Sequence, residues 1–295
     1  MSIVKSLSVG DGDMFYIKHG TDSFTVIDCS MSEGDRSRIV KELKAESKGK
    51  GIVRFISTHP DDDHILGLAY LHGQMKLLNF YCVKNAATKP DETDDFDQYC
   101  ALRDDPKKAF YLYKGCRRRW LNQADEEREG SGISIPWPVI DNKYYQGALA
   151  DANEGKSPNN ISAIVQYALN GGATVLWMGD LETEFMDTLN TIPVGAGDIL
   201  FAPHHGRKTG KVPAEWLEEM NPKVIIIGEA PSQDLNYYQG YNTITQNSAG
   251  DITLECVSGK THIYVSNQDY SVDFLDYEAM PDNYGTYIGT IKVRG

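Results

Sequence analysis

The sequence predicts an α/β protein in which two sheets pack face to face with helices outside. Three observations carry this. Short apolar, β-branched runs alternate with amphipathic stretches in both halves of the chain. Three of those runs stop at loops rich in His and Asp, "RFISTHPDDDHILG", "VLWMGDLETEF" and "ILFAPHHGRKTG". Between the first and second of these loops, residues 84–158 change character and read as an insertion or cap within one domain of 295 residues.

The elements follow in order. "SIVKSLSVG", "MFYIKHG" and "SFTVIDCS" are strands separated by Gly-Asp-Gly and Gly-Thr-Asp-Ser turns. "EGDRSRIVKELKAESKGK" has helical period, with Ile39, Val40 and Leu43 on one face. "GIVRFIST" is a buried strand that Pro60 stops at His59, because proline lacks the ladder donor and holds its predecessor extended. "HILGLAYLHG" is a short helix and "MKLLNFYCV" a strand. Within 84–158, "CALRDDPKKAFYLYKGCRRRWLNQADEERE" is expected to be helical, with a basic knot at Arg117, Arg118 and Arg119. Strands resume with "SAIVQYAL", "ATVLWMGD", "DILFAPHHG" and "KVIIIGEA", helices at "ETEFMDTL" and "PAEWLEEM" lie between them, and short strands close the chain.

Composition bounds the function. Hydrophobic residues make up 41% and charged residues 24%, enough apolar material for a sizeable core. No apolar run has the length of a membrane span, and the N-terminus has no secretory pattern. The five cysteines are scattered and odd in number, which points to reduced thiols and a cytoplasmic protein. A net charge of −13 argues against non-specific wrapping of long DNA, so any nucleic-acid contact must be local. It also fits a site of carboxylates that cations neutralise.

In the first loop His59, Asp61, Asp63 and His64 lie within six residues beyond a strand. Imidazole and carboxylate are both good ligands for divalent metals, and the spacing lets them converge. The competing reading is a helix N-terminus, which also favours Asp. In the second loop a strand ends in Gly-Asp at Asp180, and in the third in Pro-His-His-Gly, followed by Arg207, Lys208 and Lys211. Each loop places metal-type ligands at the carboxyl end of an apolar strand. Together they supply about the donors that two metals ~3.5–4 Å apart require.

These residues resemble the metallo-β-lactamase superfamily, whose hallmark is H-x-H-x-D-H after a strand. Here the pattern is H-x-D-x-D-H, similar to the metallo-hydrolase domain of the ComEC competence proteins. "VGDGDMFYIKHGTDSFTVIDCS", "SPNNISAIVQY", "LWMGDLETE" and "APHHGRKTG" resemble other segments of that branch, in order. The resemblance implies an αββα four-layer metallo-β-lactamase sandwich with an inserted segment. It places His59 and Asp61 on one metal, Asp63 and His64 on the other, Asp180 bridging, and His204 completing the second site. The sequence does not decide between His204 and His205, and His204 is favoured. The usual histidine between the first and fourth motifs is absent, and Asn160 stands near its place.

A carboxylate in place of a histidine hardens the site, which favours Mn²⁺ over Zn²⁺ for the two divalent ions. Asp63, His64 and Asp180 are the expected catalytic residues, with His205, Arg207, Lys208 and Asn160 on the substrate. The favoured activity is a metal-dependent phosphodiesterase, a nuclease acting on DNA. Alternatives are cyclic-nucleotide or other small-molecule phosphodiester cleavage, hydrolysis of a thioester, lactone or amide, and a metal-holding binding module. The basic run ending at Trp120 is either a solvated face or a nucleic-acid grip. A protein partner through 84–158 is a further expectation, and the sequence is silent on oligomeric state.

Overall fold

The computed structural model describes residues 1–189 and 191–294. Two sheets form its centre. The larger has nine strands, in the spatial order Thr286–Lys292, Lys260–Val265, Ile252–Val257, Ser2–Ser6, Phe15–Lys18, Ser23–Ile27, Ile52–Ile56, Phe80–Val83 and Ala109–Leu112. The smaller has six, in the order Thr243–Thr245, Val224–Ile227, Ile199–Phe201, Thr174–Trp177, Ile164–Ala168 and Ile133–Trp137.

Alternation along the strands of the larger sheet explains the layering. Phe15, Ile17, Ile27, Ile56, Tyr81 and Val83 join the core shared with the second sheet. Their neighbours Tyr16, Phe24, Val26, Phe55, Phe80 and Cys82 face the other way. That outer face is covered by Ile39, Val40 and Leu43 of helix Arg36–Glu46, by Leu68 and Leu71 of Leu68–Met75, and by Phe96, Tyr99 and Leu102 of Asp94–Asp104. Both faces of the strands are buried, so a one-residue slip would exchange two apolar sets of different shape. Phe15 of the larger sheet packs on Phe201 at 4.8 Å and on Trp177 at 6.0 Å between ring centroids, joining the two sheets. Helices Thr183–Asp187 and Ala214–Met220 add Phe185, Met186, Trp216, Leu217 and Met220 to the main core. The arrangement is the αββα sandwich.

Strand direction positions the site. Ser23–Ile27, Ile52–Ile56, Phe80–Val83 and Ala109–Leu112 run parallel in one sheet. Thr174–Trp177, Ile199–Phe201, Val224–Ile227 and Thr243–Thr245 do so in the other. The carboxyl ends of Ile52–Ile56, Thr174–Trp177 and Ile199–Phe201 carry the three His- and Asp-rich loops to one edge of the sandwich.

Residues 84–158 are threaded through this frame. They supply helix Asp94–Asp104, an edge strand to each sheet (Ala109–Leu112 and Ile133–Trp137) and helix Lys143–Asn153, capped by Asn142. The continuous helix expected after Cys100 ends at Asp104. Pro106 follows Asp105, which adopts an extended conformation, and Ala109–Leu112 then pairs with Phe80–Val83. Arg117, Arg118 and Arg119 lie in irregular chain beyond it. Among the described residues no helix is long and apolar enough to cross a membrane.

Candidate metal centre

The first loop leaves its strand through Ser57 and Thr58, and His59 is fully buried. Asp61 has extended backbone (φ −81, ψ 159) and caps the short helix Asp62–Ile65 by accepting from the Asp62 N–H at 3.0 Å. The one-turn helix brings Asp63 and His64 round to face the second sheet. Asp28, at the end of Ser23–Ile27, fixes the loop from behind. It accepts from the Thr58 N–H at 2.7 Å and the Thr58 hydroxyl at 2.6 Å, and lies 3.0 Å from His64 Nδ1. That contact leaves His64 Nε2 to point into the site.

The second loop turns at Gly179, whose φ is +52; a Cβ there would lie 2.6 Å from Ser162 Oγ. The Ser162 hydroxyl accepts from the Asp180 N–H at 3.0 Å. Gly179→Ala is therefore expected to cost about 1–3 kcal/mol through overpacking and left-handed strain. A lower urea midpoint at unchanged slope would confirm this. The third loop is tied to the second by the His204 N–H, which donates to the Gly179 carbonyl at 3.0 Å. His204, His205 and Gly206 have φ of 53, 55 and 82 in succession, an arrangement that costs energy at the two histidines and re-aims their side chains.

The loops converge on Asp180. His64 Nε2 lies 3.0 Å from its Oδ1, while Oδ2 lies 3.6 Å from His205 Nε2, 3.8 Å from His204 Nε2 and 4.0 Å from His59 Nε2. His205 Nε2 is 3.2 Å from Asp63 Oδ2, and its Nδ1 is 3.1 Å from Asp13 Oδ1. Asp13, His64, Asp180 and His205 each offer a ligand atom within 4.8 Å of the others. His59 Nε2 is buried without a hydrogen-bond partner, and the buried His64 Nε2 and Asp180 Oδ1 face only each other, at 3.0 Å. Buried polar atoms rarely stay unpaired, and this convergence of imidazole nitrogens on one carboxylate suits a cation they would share. With the histidines neutral, the carboxylates of Asp13, Asp28, Asp63 and Asp180 carry the charge that two divalent cations match.

Electrostatics agree. Burial opposes a charge on His64, yet the carboxylates of Asp180 and Asp28 raise its pKa well above the ordinary value. Burial likewise opposes a charge on His205, but Asp13 and Asp180 push it up to about 10. Burial, assisted by the charge on His64, lowers His59 to about 3. Burial opposes ionisation of Asp63, but its contact with His205 and the charge on His64 hold it at about 2. Asp180, though buried, is held well below the carboxylate range by His64 and His205. Protons on two histidines thus take the place of a cation among the carboxylates.

The structure brings Asp63, His64 and Asp180 together, with His59 at their side. His205, expected on the substrate, instead stands inside the cluster, because the left-handed turn aims it at Asp63. His204 sits at the rim with its Nδ1 on the Thr209 hydroxyl at 3.0 Å. Asp61, expected on a metal, is directed away: its Oδ1 takes Lys89 Nζ at 3.1 Å. Asn160 donates to Glu182 at 2.7 Å and accepts from the Glu182 N–H, so its side chain is occupied. Arg207 pairs with Asp11 at 3.4 Å, and Lys208 is exposed. The basic run lies at the opposite edge. The Trp120 carbonyl accepts from Arg54, five residues before His59, and Arg128 over the Trp120 ring pairs with Asp22 at the start of Ile52–Ile56. Asp13 and Asp28 were not among the expected site residues. Their signals were the Gly-Asp-Gly-Asp turn and the Ile-Asp at a strand end. A Cβ at Gly12 would collide with the Ser30 side chain and the Asp63 carbonyl.

Fold and site define an αββα protein with a candidate metal-binding cluster at one edge of the sandwich. No family model matches the sequence, and no curated protein is similar to it. Several solved structures are similar to this chain, among them the following two. The metallo-beta-lactamase fold protein YhfI from Bacillus subtilis is 12% identical with a TM-score of 0.47, over 83% of this chain and 96% of that one. Igni18, a metallo hydrolase from the hyperthermophilic archaeon Ignicoccus hospitalis, is 13% identical with a TM-score of 0.48, over 86% and 99%. Likeness at this level carries no weight for the chemistry, which rests on the geometry above.

Proposed function

We propose that the protein is a binuclear metal-dependent hydrolase, and that its reaction is phosphodiester cleavage, with DNA as the favoured substrate. The observation that carries this reading is the convergence of four imidazole nitrogens, from His59, His64, His204 and His205, within 4.0 Å of the buried Asp180 carboxylate, His59 Nε2 among them having no hydrogen-bond partner. Asp63, His64, Asp180 and His205 would hold one ion, and His59, Asp180 and His204 would face a second. When bound, divalent ions supply the Lewis acidity that activates water and polarises a phosphoryl oxygen. Carboxylates in the donor set favour Mn²⁺, then Zn²⁺. The chain's own contribution is orientation: Asp28 fixes the His64 ring, Asp13 fixes His205, and Arg207 offers a planar fork to a phosphate once released from Asp11. The net charge of −13 favours a second substrate class, small phosphodiesters such as cyclic nucleotides, over long duplex DNA.

The test incubates the purified protein with Mn²⁺ or Zn²⁺ and offers single-stranded DNA, duplex DNA, a cyclic nucleotide, bis(p-nitrophenyl) phosphate and a thioester. Metal-dependent phosphodiester cleavage that Asp63→Ala abolishes is expected. Thioester cleavage alone would replace the reading with carboxylic hydrolysis. Bound metal without turnover of any substrate would replace it with a binding module.

A further inference from the structure

Three adjacent aspartates follow His59, and the structure gives them three different surroundings. Asp63 faces His205. Asp62 projects outward, with 68% of its side chain exposed. Asp61 lies between them in sequence and turns away from the cluster. Two contacts hold it there: the Asp62 N–H, which donates to its Oδ1 at 3.0 Å, and Lys89, from the segment that follows strand Phe80–Val83. Its ammonium lies 3.1 Å from Asp61 Oδ1 and 2.5 Å from Asp62 Oδ1, and over the Phe96 ring at 5.6 Å from the centroid. The Lys89 side chain is only 12% exposed, so it needs a carboxylate partner at all times. It has two.

The second ion position is short of donors. Around Asp180 Oδ2 it offers His59 Nε2 at 4.0 Å and His204 Nε2 at 3.8 Å. His59 Nε2 is fully buried and unpartnered. No further carboxylate of the first loop is free, since Asp63 is engaged by His205. Asp61 stands two residues from His59 on the same turn, and a change of χ1 rotamer re-aims its carboxylate. A cavity of about 280 Å³ beside Pro60, lined by Asp61, Asp62, Lys89 and Lys156, borders the place the Asp61 carboxylate now holds, so the side chain is not packed in there.

We propose that Lys89 is a positioning residue that withholds Asp61 from the second metal position, so that the two ions bind with unequal affinity. Asp62 is the partner that keeps the ammonium paired when Asp61 leaves it. The inference rests on the metal-centre reading above and adds a control that the cluster itself does not contain. It assigns the Asp61-Asp62-Asp63 run one carboxylate for the first ion, one movable carboxylate for the second, and one that holds the lysine.

The test is Mn²⁺ binding by isothermal titration and by metal content after gel filtration, on the full chain. The wild type is expected to hold one ion tightly and a second at least about tenfold more weakly. Lys89→Met is expected to tighten the second ion by roughly tenfold to a hundredfold, the range of outer-shell effects on metal affinity, and to leave the first unchanged. Lys89→Arg keeps the pairing and is expected to resemble the wild type. Adding Asp61→Asn to Lys89→Met is expected to erase the gain, and circular dichroism melts report whether each variant is folded. Equal second-ion affinity in wild type and Lys89→Met, or a gain that survives Asp61→Asn, would overturn the role of Lys89 while the metal centre stands. Absence of bound ion in every variant, wild type included, would overturn the metal reading and this one with it.

Discussion

Asp180→Ala is expected to empty the centre of metal and to lower phosphodiester cleavage by at least about a thousandfold, about 4 kcal/mol of transition-state stabilisation. Asp180 is the carboxylate that faces both ion positions. One of its oxygens lies beside His64, and the other within 4.0 Å of His59, His204 and His205. Removing it takes away the one carboxylate common to both ion positions. The protein should remain folded, because the variant keeps the hydrogen bond from residue 180 N–H to Ser162 and leaves the pairing of His64 with Asp28 intact. Asp180→Asn separates charge from shape: it keeps the size of the side chain and is expected to lose metal nearly as completely as alanine. The measurements are metal content by atomic spectroscopy, initial rates with bis(p-nitrophenyl) phosphate, and a thermal melt of each metal-free variant. Full metal occupancy in Asp180→Ala would remove Asp180 from the centre.

The sequence disclosed the sheet edge more readily than the directions of side chains on it. Ile52–Ile56, Thr174–Trp177 and Ile199–Phe201 are short apolar runs ended by Pro, Gly-Asp or Pro-His-His, and local pattern alone places them. Edge strands were harder to read. Ala109–Leu112 is only partly buried, and in Ile133–Trp137 the alternation of Ile133, Ile135 and Trp137 is interrupted by Pro136, which lacks a ladder donor. Which histidine of the pair enters the cluster depends on successive left-handed residues, His204 to Gly206, a backbone property without a residue-level signal beyond the glycine. Asp61 is turned by a lysine 28 positions away. Asp13 meets His205 across 192 positions, and Asp28 meets His64 across 36. Long-range pairings of this kind are fixed by sheet topology, which one sequence does not specify.

Metal affinity is expected to rise with pH across the neutral range, because the metal-free protein holds protons where the ion must bind. Asp13 and Asp180 raise His205 from 6.5 to about 10, and Asp180 and Asp28 raise His64 well above 6.5 as well, against the opposing effect of burial. Ligation requires neutral imidazole, so an ion entering between pH 7 and 9 displaces up to two protons, and the binding constant gains about tenfold per pH unit for each. The stability of the metal-free protein moves the other way. A raised histidine pKa contributes stability fully below its unfolded value of 6.5 and loses it as pH rises, for His205 through about 10. The lowered carboxylates of Asp63 and Asp180 contribute above their unfolded value of 3.8 and lose it as pH falls, for Asp63 through about 2. His59, lowered to about 3, costs stability as pH falls below 6.5, so metal-free protein should be most stable near pH 6.5. The rise in melting temperature on adding Mn²⁺ should be small at pH 6 and larger at pH 8.5. Titration calorimetry in buffers of different ionisation enthalpy counts the released protons directly. A binding constant and melting shift that stay flat from pH 6 to 9 would mean that His64 and His205 are already neutral in the metal-free protein, and that their carboxylate neighbours do not hold the protons.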